Sequence, residues 1–442
     1  MSRSVVTAVS DRWESALVTT LERGTDAQIA RRCPDLADLL AVAGSGLAEV
    51  ALVSADLRSL DRTALDHLRE CSVTVVGIYA PGDETAQRHL RQLGIATIIS
   101  ADASAEVIQE TLDDLDDSRS GPEPTRFPQG LEPADGGRPD AANGSVAHSG
   151  RLRPGAPDRA GADAGGSLGA IIAVWGPAGA PGRTMVALNL ACELARLDQP
   201  TVLVDADTYG GCIAQSLSLL DEAPGLAAAT RSADHGSLDL AALARLAPEV
   251  SVGLRVLTGI PKAERWPELR AAALEHVLTL TRRLARFTVI DCGFSLEDDE
   301  ELSYDTLAPR RNAATLTSLA VADQVLAVGS GDPIGLQRLV RGLQELGTVA
   351  SPSPTVVINK VRSSAVGPRP ESRIRDALTR FAGIDDLRFI PDDPASLDGA
   401  LLAGQSLAEA APDSDVRKTL VALASEICGV PAPHPGRRPM GA

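Results

Sequence analysis

Residues 170–184 read AIIAVWGPAGAPGRT: an apolar run, Ala170 to Trp175, empties into a Gly/Pro-rich turn, Gly176 to Gly182, that closes on Arg183-Thr184. A loop that cradles phosphate needs a strand to deliver it, glycines that let backbone N–H groups close on the anion, and a helix whose positive end points at it. All three are present, because Val186, Leu190, Leu194 and Leu197 recur at helical spacing immediately afterwards. Against the pattern G-x-x-x-x-G-K-[ST], Gly182 and Thr184 match, whereas Pro177 stands at the first glycine and Arg183 at the lysine. Taken alone the motif is damaged, and a strand-to-helix turn that merely packs accounts for it equally well.

Other strand ends change that balance. The run Thr201 to Val204 ends in Asp205-Ala206-Asp207, and Phe287 to Ile290 ends in Asp291. In a parallel sheet, acids at the carboxyl ends of strands cluster beside the phosphate loop, where they can hold Mg²⁺ and orient an attacking water; Thr184 would offer a hydroxyl to the same ion. Val356 to Ile358 ends in Asn359-Lys360-Val361-Arg362, and Phe389-Ile390 in Pro391-Asp392-Asp393-Pro394. An amide at a strand end can pair with a purine edge, and a rigid Pro-bearing loop can close over the ring. Each is ordinary by itself; their order and chemistry together point to a nucleotide.

Composition narrows the class. The 442 residues leave room for two or three domains, and a formal charge of −17 argues against a surface built to neutralise nucleic acid or an anionic membrane. Aromatics are 2% of the chain, too few for base-stacking platforms. Arg310-Arg311-Asn312 and Arg369 to Arg375 read as surface salt pairing in preference to non-specific DNA contact, and Glu297 to Glu301 as a solvated acidic loop in preference to a partner surface or cation site. The six cysteines have no metal-ligand spacing and are expected to be reduced and mostly buried, Cys292 behind the loop; Trp175 is expected in the core. No secretory h-region, apolar run near 20 residues or basic amphipathic anchor appears. A cytoplasmic location follows as the expectation, with any membrane contact peripheral.

Residues 1–112 alternate apolar runs (Val5 to Val9, Val50 to Val53, Val73 to Ile78, Ile95 to Ile99) with helical candidates around Trp13 to Leu21, Asp35 to Val42, Leu60 to Leu68 and Thr85 to Leu93. This suggests a small parallel α/β domain, and it resembles a degenerate flavodoxin-like receiver: Ser54 stands where a receiver keeps its aspartate, only Asp11 follows the first strand, and no Lys follows Ser100. Asp56 would share Ser54's face if the strand continued. Docking or dimerisation is the expected role. Residues 113–167, poor in branched aliphatics, are expected to be a disordered tether, residues 168–428 a parallel sheet covered on both faces, and residues 429–442 a disordered Pro/Gly tail. Val416, Leu420, Leu423 and Ile427 form a helical stripe expected to dock on the larger domain.

Residues 168–428 resemble the MinD/ParA family of deviant P-loop ATPases, in the CpaE/TadZ pilus-assembly branch, through the loop together with VLVDADTYGG (202–211), FTVIDCG (287–293), VVINKVR (356–362) and the stretch from Ile390 to Leu420. The resemblance implies an ATP- and Mg²⁺-dependent switch that forms a homodimer and positions a pilus, secretion or cell-division assembly at a pole, septum, nucleoid or the inner face of the membrane. It implies that Gly179, Ala180, Pro181, Gly182, Arg183, Thr184 and Met185 hold the nucleotide, Gly182 and Arg183 at the β and γ phosphates. Thr184 and Asp291 would lie on magnesium, Asp207 would orient water with help from Asp205, and Asn359 with the Pro391-Asp392 loop would contact adenine. The family's signature lysine falls on Ala178 and is absent. A non-hydrolysing scaffold, or a septum-site or chromosome-partitioning ATPase, are the alternatives.

Overall fold

The computed structural model describes residues 3–58, 60–119, 168–179, 181–219, 224–298 and 309–430. Ala180, the segment 299–308 and most of the expected tether and tail lie outside the described residues.

The first parallel sheet contains β1 (Arg3–Ala8), β2 (Ala27–Arg32), β3 (Val50–Ser54), β4 (Thr74–Tyr79) and β5 (Thr97–Ser100) in the order 2-1-3-4-5, the flavodoxin-like arrangement. Three connecting helices start at an aspartate, Asp35, Asp61 or Asp83, whose carboxylate accepts the amide three residues on. Strand β2 was not among the expected runs. Its sequence AQIARR turns only Ala27 and Ile29 toward partial cover, while the exposed Arg31 and Arg32 pair with Asp38 and Glu14 at 2.8 and 3.0 Å. An edge strand needs only this alternation.

The second sheet runs β13-β12-β11-β6-β10-β7-β9-β8, with β6 (Ala170–Trp175), β7 (Thr201–Ala206), β8 (Glu249–Ser251), β9 (Leu254–Leu257), β10 (Phe287–Cys292), β11 (Gln324–Ser330), β12 (Thr355–Val361) and β13 (Leu387–Pro391). All neighbours are parallel except β8 against β9; β8 is a short, largely exposed edge strand of mixed polarity, whereas β9 is buried at Leu254, Val256 and Leu257. Helices cover both faces, so the central strands read as continuous apolar stretches: every residue from Ile171 to Trp175 is buried. Register does the chemical work, placing Asp291 level with Val174 of β6 and Asp205 of β7.

The helix after the loop, Arg183–Arg196, departs from a one-sided stripe: Val186 through Ala195 are all buried. The sheet takes one side and the helix Asp415–Cys428 the other, through Val416, Leu420 and Leu423. Arg417 closes this contact on the buried carboxylate of Glu193 at 2.7 Å. Between the sheets, the helix Arg62–Glu70 lies against the helices Gly225–Asp234 and Ala271–Leu284. Arg270 pairs with Asp61 at 2.6 Å, and Arg62 donates Nε–H to the Ala233 carbonyl at 3.2 Å. Burial at this seam pushes the Asp234 carboxyl up to about 6 and the His276 imidazole down to about 4, the latter helped by the charge of Arg62.

Candidate functional site

The turn after β6 holds its shape through two glycines. Gly179 (φ +108°) and Gly182 (φ +96°) occupy left-handed backbone that side chains resist, and a methyl at either would also collide with a neighbour: Arg338 Nη1 at Gly179, Asn359 Nδ2 at Gly182. Gly182 then caps the helix that begins at Arg183, so the helix's first amides, with no intrahelical acceptor, face the loop. A cavity of about 390 Å³ opens there, lined by Ala178, Gly179, Gly182, Arg183, Thr184, Asp207, Tyr209, Gly210 and Phe294.

Arg183 spends four of its five guanidinium N–H groups within the protein. Its Nε–H donates to the Cys292 carbonyl at 3.1 Å, Nη1 to the carbonyls of Gly176 and Pro177 at 3.1 and 3.2 Å, and Nη2 to Asp207 Oδ2 at 3.4 Å. Asp207 accepts the Tyr209 and Gly210 amides on its other oxygen, at 2.9 and 3.2 Å. The planar fork of an arginine, unlike a compact ammonium, reaches all of these acceptors at once.

Beneath the loop lie two buried acids. Asp205 accepts the Ile213 amide at 3.1 Å and the Asp207 amide at 3.4 Å, so it pins the segment 207–213. Burial drives its carboxyl up to about 7; those amides hold it down and the charge of Asp207 adds to the rise. Asp291 is wholly buried, and burial followed by the charge of Asp205 raises it well above the ordinary carboxylate range. Thr184 and Arg183 stand near enough to oppose that rise, yet neither closes a hydrogen bond to it: both carboxylate oxygens are without a partner among the described residues. A buried carboxylate in that condition is costly unless something positive arrives, and the Thr184 hydroxyl beside it completes an oxygen donor pair suited to Mg²⁺. Among the described residues no cluster of three or more His, Cys, Asp or Glu could hold a metal alone, so a cation here needs oxygens brought by its ligand.

The structure thus gathers Gly179, Gly182, Arg183, Thr184 and Asp207 around one cavity, with Asp205 and Asp291 below it. Pro181 is buried, and its carbonyl accepts Asn359 Nδ2 at 2.8 Å. Asn359 therefore braces the phosphate loop and is not among the residues lining this cavity. Pro391 and Asp392 lie away from it too; Asp392 is held by the Val361 carbonyl at 3.1 Å and by Arg362 at 3.5 Å. Met185 packs into the core beneath the sheet. Trp175 is core, donating its indole N–H to the Phe294 carbonyl at 3.2 Å, and burial lifts the Cys292 thiol far from reactivity.

Sequence reading missed two residues. Arg311 does not form a surface salt pair, as Arg310 does with Asp298 at 3.2 Å. Its guanidinium stacks 3.8 Å over Tyr209 and donates to the Thr208 hydroxyl and carbonyl at 2.8 and 3.1 Å, clamping the turn after Asp207. Arg338 sits at Gly179, carried by the helix Pro333–Leu346. Nothing in their local sequence announces either role; both arise from long-range packing.

The family model described as the CobQ/CobB/MinD/ParA nucleotide binding domain matches residues 172–399. The solved cell division ATPase MinD of Pyrococcus furiosus is 20% identical, over 59% of this chain and 99% of that one, with a TM-score of 0.47. A ParA family ATPase from Chlorobium tepidum TLS is 18% identical over 59% and 99%, at 0.49. The septum site-determining protein MinD of Pyrococcus horikoshii OT3, solved with Mg-ADP, is 18% identical over 59% and 96%, at 0.46. No curated protein sequence matches the chain.

Proposed function

Because the chain belongs to the CobQ/CobB/MinD/ParA nucleotide-binding family, we propose that it binds Mg²⁺-ATP at the turn after β6, hydrolyses it slowly, and uses the bound state as a spatial switch. The observation that carries this reading is Asp291: a buried carboxylate with two unpartnered oxygens beside Thr184, under a loop whose glycines and helix start leave amides for an anion. In this reading Thr184 and Asp291 hold magnesium, and the backbone from Gly179 to Met185, including Gly182 and Arg183, surrounds the β and γ phosphates. The metal supplies charge neutralisation to the phosphates. Asp207, fixed by Arg183 and two amides, orients water, while Asp205 holds the turn that carries it. Asn359 and the Pro391-Asp392 loop form the base side of the site.

The arrangement of a flavodoxin-like unit before the nucleotide-binding sheet supports the finer assignment to a CpaE/TadZ-like positioning factor for a pilus or secretion assembly, acting as a nucleotide-linked homodimer in the cytoplasm. The domain limits we assign are 1–112, 113–167, 168–428 and 429–442. No described helix is long and apolar enough to cross a membrane.

A second reading, a scaffold that holds nucleotide without turning it over, is favoured by the commitment of four Arg183 N–H groups to protein acceptors and by the uncharged Ala178. Two measurements separate the readings. Calorimetric titration with ATP, with and without Mg²⁺, is expected to show magnesium-dependent binding; none at all refutes both. Steady-state phosphate release is then compared with Asp207→Ala: loss in the variant supports the switch, and equal release supports the scaffold.

A further inference from the structure

The loop's own cation is largely committed to protein acceptors, which leaves the open side of a bound triphosphate short of positive charge. Arg183 has its guanidinium bonded to three carbonyls and the Asp207 carboxylate, and Ala178 carries no charge. A second guanidinium is nevertheless present. The helix Pro333–Leu346 starts from Asp332, whose Oδ1 accepts the Ile334 and Gly335 amides at 3.1 and 3.0 Å. It runs back along the end of β6 and lies close there, so that a side chain at Gly342 would require its neighbours to give way by a few tenths of an ångström. A Cβ on Gly342 would sit 3.0 Å from the Trp175 ring and 3.2 Å from Pro177 Cβ. One turn earlier on the same helix face, Arg338 is brought onto the loop apex, where a side chain at Gly179 would meet its Nη1 and find its Cζ at 3.2 Å. Among the described residues Arg338 makes no hydrogen bond or ion pair; Glu297 and Glu345 line the same 450 Å³ hollow without pairing with it. That hollow shares Ala178 and Phe294 with the cavity at the phosphate loop.

We propose that Arg338 is the cation that meets the terminal phosphate of a bound nucleoside triphosphate, supplied within the same chain by the helix after β11, and that it makes the site prefer triphosphate over diphosphate. The inference rests on the nucleotide-binding reading above. An exposed arginine with no acid partner, seated on a glycine whose backbone lets it approach, is free to close a bidentate, charge-assisted contact with phosphate oxygens. The helix glycine at 342 and the loop glycine at 179 have a shared purpose in this account, since a side chain at either would push the guanidinium off the loop.

The test uses the full chain and fluorescent derivatives of ATP and ADP, titrated with Mg²⁺ present, for wild type, Arg338→Ala, Arg338→Lys and Arg341→Ala. Arg338→Ala is expected to weaken the triphosphate at least about tenfold and the diphosphate less than about threefold. Arg338→Lys should recover part of the difference, and Arg341→Ala, one turn on, should leave both affinities near wild type. Arg338 is exposed, so thermal melting of the variants should match wild type. Equal loss for both nucleotides, no loss, or tighter binding by Arg338→Ala, the mark of a plug, overturns the inference while leaving the nucleotide site standing. A wild type that binds neither nucleotide overturns both.

Discussion

The two parallel sheets offer the same place for chemistry, the carboxyl ends of strands beside a topological switch point, and have filled it in opposite ways. In the first sheet, Ser54 at the end of β3 accepts the Ser10 amide at 3.1 Å and donates its hydroxyl to Asp56, and at the end of β5 Ser100 donates to Asp102. Both of these strand-end hydroxyls have a carboxylate neighbour of their own. In the second sheet the corresponding edge carries Asp205, Asp207 and Asp291, the last with both oxygens unpartnered and far from water. Both sheets are parallel, yet among the described strand-end carboxylates only Asp291 is wholly buried with neither oxygen partnered. Fold class therefore fixes where a site is possible, while the side chains at the strand ends decide whether a buried acid is left there without a partner.

The largest way to break this contrast is to remove what supports the second edge. Trp175 ends β6, is 1% exposed, and joins the helix carrying Arg338 to the strand carrying Asp291 through Gly342 and the Phe294 carbonyl. Trp175→Ala is expected to cost about 3–5 kcal/mol in urea unfolding, from lost burial and the cavity left behind. A loss below about 1 kcal/mol would show that the edge does not depend on this packing.

A smaller effect tests whether the two sheets report on each other. At their seam, Asp234 has its carboxyl raised by burial from 3.8 to about 6, against the pull of Arg270. The folded chain thus holds this proton more tightly than the unfolded chain, so its contribution to stability falls as pH rises from about 4 to 6. His276, lowered from 6.5 to about 4, has the opposite sign: the unfolded chain holds that proton more tightly, and stability rises over the same window up to about 6.5. The two slopes oppose one another. Asp234→Asn removes the falling one, so the variant should gain stability with pH between about 4.5 and 7, by about 1 kcal/mol more than wild type after allowance for the part of the carboxyl that water reaches. Urea midpoints at the two pH values decide it, and parallel profiles for variant and wild type would contradict the assignment.

Much of this was legible in the sequence, and the limits were physical. Buried parallel strands are apolar on both faces, so β6, β7, β10 and β12 stood out as runs, and their terminal Asp205, Asp207, Asp291 and Asn359 could be read as a set. Edge strands are half wet, which hid β2 and β8. The stripe on Arg183–Arg196 was visible, but its second buried face depended on the helix Asp415–Cys428, more than 200 residues later. Residue type indicated that Arg183 carries charge to the loop; only coordinates show that carbonyls and Asp207 absorb it. Arg338 and Arg311 were invisible as site residues because a cation's role is set by what packs under it.

The smallest effect expected lies in the first sheet, and its smallness is the point. Asp56 falls beyond the end of β3, which stops at Ser54, so it does not stand in the strand-end position that a phosphoryl acceptor would occupy. Its carboxylate takes the Ser54 hydroxyl, and no lysine follows β5 to neutralise an added phosphate. Incubation of the chain with acetyl phosphate and Mg²⁺ should therefore leave its intact mass unchanged, and Asp56→Asn should shift stability by no more than about 0.5 kcal/mol, the range of a surface substitution. Nucleotide affinity in the second sheet should not move. A phosphoryl adduct lost in Asp56→Asn would mean that the first edge is also built for chemistry. A change in ATP affinity in that variant, with no adduct, would mean instead that the seam of Asp61, Arg62 and Arg270 transmits the state of one sheet to the other.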